Sequence, residues 1–330
     1  MENEQWWLPE NEQVHEYVPL FAVSSRKLME KIKGVNFVHD VKVRDRVLRS
    51  VKDLCGASPF LPDFPGKQLD QLTVKKVPNF KQATHQVSFK SHSKRFLMFI
   101  DKPKETCFVD EENNVFTTDL LSFPSEADPK KQITRMVLDG DMVIDQEGAK
   151  RVPRFLVRDV ADIKMVQSRN FLGRRRWITE ELIKARAAAA QRRRLKLSKE
   201  PLQIAYKDFY ELDCAEKILA EKFRKNVPHR IDGLQFHTVS FSSKVREHFS
   251  EWDQTISREP GSLPQDSLLS TIRDRFGARR LAVTEGTKPI VPVAKPEFSA
   301  RSIGSKAPRE DRDSELMPPP KSFKVAAKKP

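Results

Sequence analysis

From Val87 to Val157 the chain is divided into short β-rich runs, and this pattern constrains the fold more than any other feature. Val87-Ser-Phe-Lys90, Arg95-Phe-Leu-Met-Phe-Ile100, Thr106-Cys-Phe-Val109 and Asn114-Val-Phe-Thr117 are separated by polar turns. Met136-Val-Leu138, Met142-Val-Ile144 and Arg154-Phe-Leu-Val157 continue the series, with Asp-Gly at 139–140 and Glu-Gly at 147–148. Trp177 to Leu197 reads as a helix, because Ala and Arg are strong formers and Thr179 suits a cap. Phe209 to Lys225 reads as a second helix with a buried stripe of Leu212, Ile218, Leu219 and Phe223, and a strand follows at Gly233–Thr238. Many short strands and a few helices in one block predict an α+β domain with a mainly antiparallel sheet.

The flanks read differently. Residues 1 to about 25 form a loosely ordered lead-in, and Arg26 to Leu54 mixes apolar and basic residues without a clean period. Prolines and glycines mark Gly56 to Gly66 as a loop. After Arg280 the chain turns to Pro, Lys, Ser and Ala, and Val291 to Pro330 holds too little apolar surface to offset the entropy of ordering. No apolar run approaches the ~20 residues that span a bilayer. The acidic, aromatic start (Trp6, Trp7) is the opposite of a signal peptide. Three scattered cysteines, Cys55, Cys107 and Cys214, form neither a disulfide framework nor a zinc site and point to a reducing compartment. A net charge of +14 fits either a polyanionic partner or a basic tail with a solvated helix face, and charge alone does not choose between them. It concentrates at Arg174–Arg176, at Arg192–Arg194 and in the last thirty residues.

Four strings are more specific. Lys90-Ser-His-Ser-Lys-Arg95, at the end of one apolar run and the start of the next, resembles the nucleotidyl-transfer motif of metazoan mRNA-capping enzymes, a Lys-x-Asp-Gly followed by Arg. Leu138-Asp-Gly-Asp-Met-Val-Ile-Asp145 is similar to that family's Leu-Asp-Gly-Glu-Met-Val-Ile-Asp segment. Val152 to Asp159 resembles its next strand, and Pro228 to Phe236 its Asp-Gly-Leu-Ile-Phe strand. All four stand in family order. Asp63-Phe-Pro-Gly66 and Asp313 to Pro320 resemble flanking segments of animal capping enzymes, whose His-Cys-x5-Arg phosphatase loop does not occur here.

The resemblance implies a covalent nucleotidyltransferase fold of the capping-enzyme and DNA-ligase kind, α+β with antiparallel-rich sheets. It divides the chain into the lead-in at 1–29, a nucleotidyltransferase-like domain at 30–240, a remnant of an oligonucleotide-binding (OB) lid at 241–290, and a disordered basic Pro-rich tail at 291–330. Most of the lid is expected to be lost, since too few residues remain for a five-stranded barrel. The implied activity is mRNA 5′-capping guanylyltransfer. A lysine attacks the α-phosphate of GTP with Mg²⁺ or Mn²⁺, and the lysyl-GMP passes to the diphosphate 5′ end of RNA. Lys90 takes the nucleophile's position, Arg95 that of the ribose-binding arginine, and Asp139, Gly140, Asp141, Asp159, Asp232, Gly233 and Arg258 those of further GTP-binding residues. Asp141 and Asp232 take the metal-binding positions. The family also implies a nucleus, and the phosphorylated tail of RNA polymerase II or a capping methyltransferase as partner.

The departures fall at the chemistry. His92-Ser93 stand where the family has Asp-Gly, replacing a fixed acceptor and a flexible backbone. Asp110-Glu111 replace an Asp-Arg pair, Asp141 a glutamate, Arg158 an aromatic residue and Arg230 a glutamate. The phosphate-gripping Lys-Trp-Lys-Pro string, expected within about thirty residues of Asp232, is missing. Arg258-Glu-Pro-Gly-Ser-Leu-Pro264 resembles the lid's Arg-x-Asp-Lys-Ser-Phe-Pro with its Asp and Lys replaced by Pro260 and Gly261. Losing one transition-state donor typically costs ~10²–10³ in rate. The sequence therefore predicts a family member with weak or lost catalysis. The alternative is a non-catalytic module that binds RNA or the capping complex through the basic Ile178–Leu197 helix.

Overall fold

The computed structural model describes residues 23–66, 68–76, 84–126, 128, 130–241, 248–253 and 262–283. They belong to one compact unit that ends at Glu285. Two sheets organise it, with the short helices α1 (Ser25–Glu30) before the first strand and α3 (Ile163–Ser168) between two later ones. The larger has the order β1-β6-β5-β4-β7-β8-β9, where β1 is Asn36–Phe37, β4 Lys94–Lys102, β5 Glu105–Val109, β6 Val115–Thr118, β7 Met136–Glu147, β8 Lys150–Val160 and β9 Gln203–Tyr206. The smaller has the order β10-β3-β11-β12-β2, where β2 is Gln68–Gln71, β3 His85–Ser91, β10 Tyr210–Glu211, β11 Ile231–Thr238 and β12 His248–Asp253. Pairing is antiparallel except at β8–β9 and β12–β2. This is the α+β, antiparallel-rich architecture that the strand runs predict.

Side-chain alternation builds three cores on these sheets. Phe96, Met98 and Ile100 of β4 join Phe108, Phe116 and Phe155 on one face, under the helical stretch that carries Ile178 and Leu182. That stretch runs from α4 (Phe171–Trp177) through a π-helical segment (Ile178–Lys184) into α5 (Ala185–Gln191). It starts earlier than the sequence suggests. Asn170 supplies the cap by accepting from the Gly173 amide, while Thr179 lies inside and donates to the Arg175 carbonyl. The opposite face of the same strands carries Leu97 and Phe99, packed against Val47 and Val51 of α2 (Val41–Leu54). Asp40 caps α2, accepting from the Lys42 and Val43 amides. Farther along this second face, Val143 and Leu156 pack against Val87, Phe89, Leu234 and Trp252 of the small sheet's side of the molecule.

Two expectations are corrected. Phe209–Lys225 is not one helix. It comprises β10, a 3₁₀ turn at Leu212–Cys214, α6 (Ala215–Leu219) and α7 (Glu221–Arg224), broken at Ala220, whose backbone is extended. Pairing of Tyr210 with Val87 draws the start into the sheet, while Leu212 and Ile218 are still buried as the stripe suggests. Asp139-Gly140 is not a turn either. Both residues lie in the middle of the twelve-residue β7, and the reversal occurs at Gly148, whose φ of 62° suits a glycine. Gly140 is required for a different reason. A Cβ there would come within 2.5 Å of the Leu156 carbonyl oxygen and 2.6 Å of the Phe155 ring.

Phe108 sits edge-on to both Phe96 and Phe155, with ring centroids 6.3 and 5.6 Å away, and is fully buried. Phe108→Ala is expected to cost about 3–5 kcal/mol through lost burial and a cavity. Urea unfolding of the purified variant checks this.

Candidate functional site

Along one face of β7 the residues run Val137, Asp139, Asp141, Val143. The two valines belong to different cores, so the two aspartates lie where the α2-covered end of the sheet meets the end covered by the second sheet. Both are almost fully buried. A carboxylate in such a place must be paired. Arg95 on the neighbouring β4 makes a two-pronged bond to Asp139, Nε to Oδ1 at 3.1 Å and Nη2 to Oδ2 at 2.6 Å. Lys207 donates to Asp141 and lies 3.5 Å from the Ser91 hydroxyl of β3, tying the two sheets together.

Arg158 completes this group. In the β7–β8 ladder Asp139 faces Asp159 and Gly140 faces Val157, leaving Arg158 as the extra residue of a bulge. Bulges re-aim side chains. Here the guanidinium comes to 2.9 Å from Asp139 and 3.6 Å from Asp141. Burial opposes ionisation of both acids, but Arg158 with Arg95 outweighs it at Asp139, and Arg158 with Lys207 at Asp141. Both carboxyls fall below the ordinary range, Asp141 to about 2.

A second bulge shapes the other wall. Ile231 faces Ser91 and Gly233 faces Lys90, so Asp232 is the extra residue. Its Oδ2 lies 2.7 Å from His92 Nδ1 and its Oδ1 accepts from Arg230 Nε at 2.8 Å. His92, which stands in place of an acceptor, is thus a fully buried partner of the acid. Behind it, His229 joins Ser91 (3.1 Å) to Asp145 (2.8 Å). Asp159 turns toward α4 and is held by Arg174 at 2.8 and 2.9 Å and by His237 at 3.3 Å.

Lys90 lies in a row across three strands. Gly233 pairs with Lys90 on one side and with Asp253 of β12 on the other. Gly233 packs so closely on β12 that a Cβ would come within 2.0 Å of the Trp252 carbonyl oxygen. With no side chain in between, the Lys90 amine reaches Asp253 at 2.8 Å and Glu251 at 3.2 Å. Burial disfavours the charged amine, but the two carboxylates outweigh it and raise its pKa above the ordinary lysine value. On the larger sheet, Arg95 lies 3.5 Å from Glu111, whose carboxyl is raised by burial despite Arg95.

The site residues read from the sequence therefore fall in one neighbourhood on β3, β4, β7, β8 and β11. Arg258 lies outside the described residues. Glu251, Asp253 and Lys207 were missed. The visible signal for the first two was Trp252, twenty residues beyond Asp232, flanked by acids where lysines were sought. Trp252 is buried, with its indole donating to the Leu263 carbonyl, and its neighbours are carboxylates.

Asp141 and Asp232 do not fit a divalent ion as arranged, because their oxygens are engaged by Lys207, Arg158, His92 and Arg230. Among the described residues, no group of three or more His, Cys, Asp or Glu residues forms a candidate metal cluster.

Comparison with known proteins agrees with the strings. Residues 28–250 match the family model for the mRNA capping enzyme, catalytic domain. The chain is 31% identical to an mRNA-capping enzyme of Danio rerio over 178 residues, 53% of this chain and 30% of the relative. It is 29% identical to the mRNA-capping enzyme of Mus musculus over 210 residues (63% and 35%), and 28% identical to that of Caenorhabditis elegans over 237 residues (70% and 37%). The chain spans about a third of the length of these relatives.

Stability should report the buried pairs. Asp141 has a depressed folded-state pKa, so its contribution is present above the unfolded value of about 3.9 and is lost as the pH falls toward 2. Arg158→Met removes the cation shared by both acids and is expected to cost about 3–5 kcal/mol at pH 7. It should also flatten the loss of stability between about pH 4 and 2, which denaturant titrations at several pH values measure.

Proposed function

The chain belongs to the family of mRNA capping enzyme catalytic domains, and we propose that it is a guanylyltransferase-type member whose GMP transfer is weak or lost. The state of Lys90 carries this reading. A lysine nucleophile needs a free amine. At an ordinary pKa of 10.4 only about one amine in a thousand is free at pH 7.4, and Glu251 and Asp253 reduce that fraction further. The same ion pairs also direct the amine toward β12.

Other contacts support the same conclusion. The acids at the GTP-binding positions are engaged by the chain's own cations: Asp139 by Arg95 and Arg158, Asp141 by Lys207, Asp159 by Arg174. GTP is the substrate that family membership supplies, the 5′ end of RNA is the acceptor class, and mRNA processing in the nucleus is the setting. A nucleotide entering this cleft must displace buried ion pairs, and each break leaves a charge uncompensated. The requirement for Mg²⁺ or Mn²⁺ meets the same obstacle at Asp141 and Asp232. β12 belongs to the small sheet, so in this reading the remnant of an OB lid within 241–290 is confined to residues outside that strand, with Arg258 as its surviving phosphate contact.

Incubation with α-labelled GTP and Mg²⁺ or Mn²⁺, followed by a denaturing gel, tests the proposal. The wild-type chain is expected to show no labelled band above that of Lys90→Ala. A robust band that disappears in Lys90→Ala would establish a working nucleophile and overturn the reading.

A further inference from the structure

We propose that Glu251 and Asp253 are a charge gate that sets the ligand class of this cleft, closing it to polyphosphates. The inference rests on the reading above of a capping-family cleft with little GMP transfer, and it identifies the residues that decide what the cleft accepts.

Three features single them out. First, strand alternation puts residues 251 and 253 on one face and Trp252 on the other, so both carboxylates face Lys90 while the indole anchors the strand in the core. The gate can therefore be exchanged without disturbing the anchor. Second, the cluster is the less deeply buried part of the site. The side chains of Lys90, Glu251 and Asp253 retain 21%, 9% and 12% exposure, whereas those of Arg158 and Lys207 retain at most 1%. An incoming anion meets the carboxylates before it meets the deeper cations.

Third, the charges around the cleft sum against an anion. Lys90, Arg95, Arg158 and Lys207 face Glu251, Asp253, Glu111, Asp139 and Asp141, four cations against five carboxylates. The influence of Glu251 extends to Arg158 and Lys207 as well as to Lys90. It thus acts on three of the four cations, Arg95 being held instead by Asp139 and Glu111. Exchanging both gate residues for lysine changes the local balance from −1 to +3 and frees Lys90 from its carboxylates.

The test uses the full chain in three forms: wild type, Glu251→Gln with Asp253→Asn, and Glu251→Lys with Asp253→Lys. Circular dichroism and tryptophan fluorescence establish that each is folded. Calorimetry then measures binding of inorganic tripolyphosphate, GTP and guanosine at low and high salt. The lysine form is expected to bind tripolyphosphate and GTP at least about tenfold more tightly than wild type. The gain should shrink with salt, and guanosine binding should stay unchanged. The neutral form should fall between the two. A folded lysine form without that gain would overturn the gate. So would an equal gain for guanosine, or wild-type affinity for tripolyphosphate matching that of the lysine form. If the lysine form does not fold, the neutral form decides: tighter tripolyphosphate binding supports the gate and unchanged binding overturns it. Failure of the earlier reading has a separate signature, Lys90-dependent GMP labelling of the wild-type chain, which leaves the comparison of affinities among the three proteins intact.

Discussion

Charge placed between two sheets governs this structure. Removing a carboxylate or an ammonium from water costs several kcal/mol, and a paired, hydrogen-bonded partner is needed to recover it. Asp139 and Asp141 sit between two valines that belong to different cores, so the sheet cannot close around them without cations. Arg95 comes from the adjacent strand, Arg158 from a bulge and Lys207 from the loop after β9. Arg95 and Lys207 are fixed by backbone pairing and Arg158 by its bulge, and together they make the junction of the sheets an ionic layer between two apolar ones. Breaking one member leaves its partner buried and uncompensated, which makes the layer stiff.

Much of the large sheet was legible because its runs alternate within a local window. The β4 run feeds two cores, Phe96, Met98 and Ile100 to one and Leu97 and Phe99 to the other, and an apolar run of that length is what a strand buried on both faces looks like. Helix α2 was not legible. Val47, Val51 and Cys55 recur every four residues, but Lys42, Arg44 and Arg46 before them and Arg49 and Lys52 between them obscure the stripe. Phe209 to Lys225 failed for the opposite reason. Its apolar spacing fits a helix, but the edge of the small sheet captures Tyr210, and tertiary pairing overrides propensity.

In the site, positions inherited as strings were legible and their partners were not. Lys90, Arg95, Asp139 and Asp232 could be named because each sits in a contiguous motif. Glu251 and Asp253 lie more than 160 residues from Lys90 and meet it only through the order β3-β11-β12. No local pattern encodes that register. Arg158 was seen as a departure from an aromatic residue, yet its target was hidden, because a bulge depends on a two-against-one count between strands. The same holds for Asp232 and His92. Single substitutions can be read along a chain, whereas compensation between them requires the fold.

That compensation would let a catalytic arrangement fade without the fold failing. In a cleft built to hold a polyanion, the free protein carries cations close together and bears their repulsion until ligand arrives, a cost commonly met where function needs a destabilised site. Here Lys90 has acids within 3.2 Å, and Arg95 lies between Asp139 and Glu111. Asp232 has His92 and Arg230. Every such pair favours the ligand-free protein, because it satisfies internally a charge that a nucleotide or a metal would otherwise satisfy. Stability and ligand affinity therefore oppose each other at these residues. A substitution that raises affinity for phosphate must introduce the repulsion that the present pairs prevent, and the three-strand row through Gly233 is where that exchange is most direct, since it joins Lys90 to the two acids that hold it.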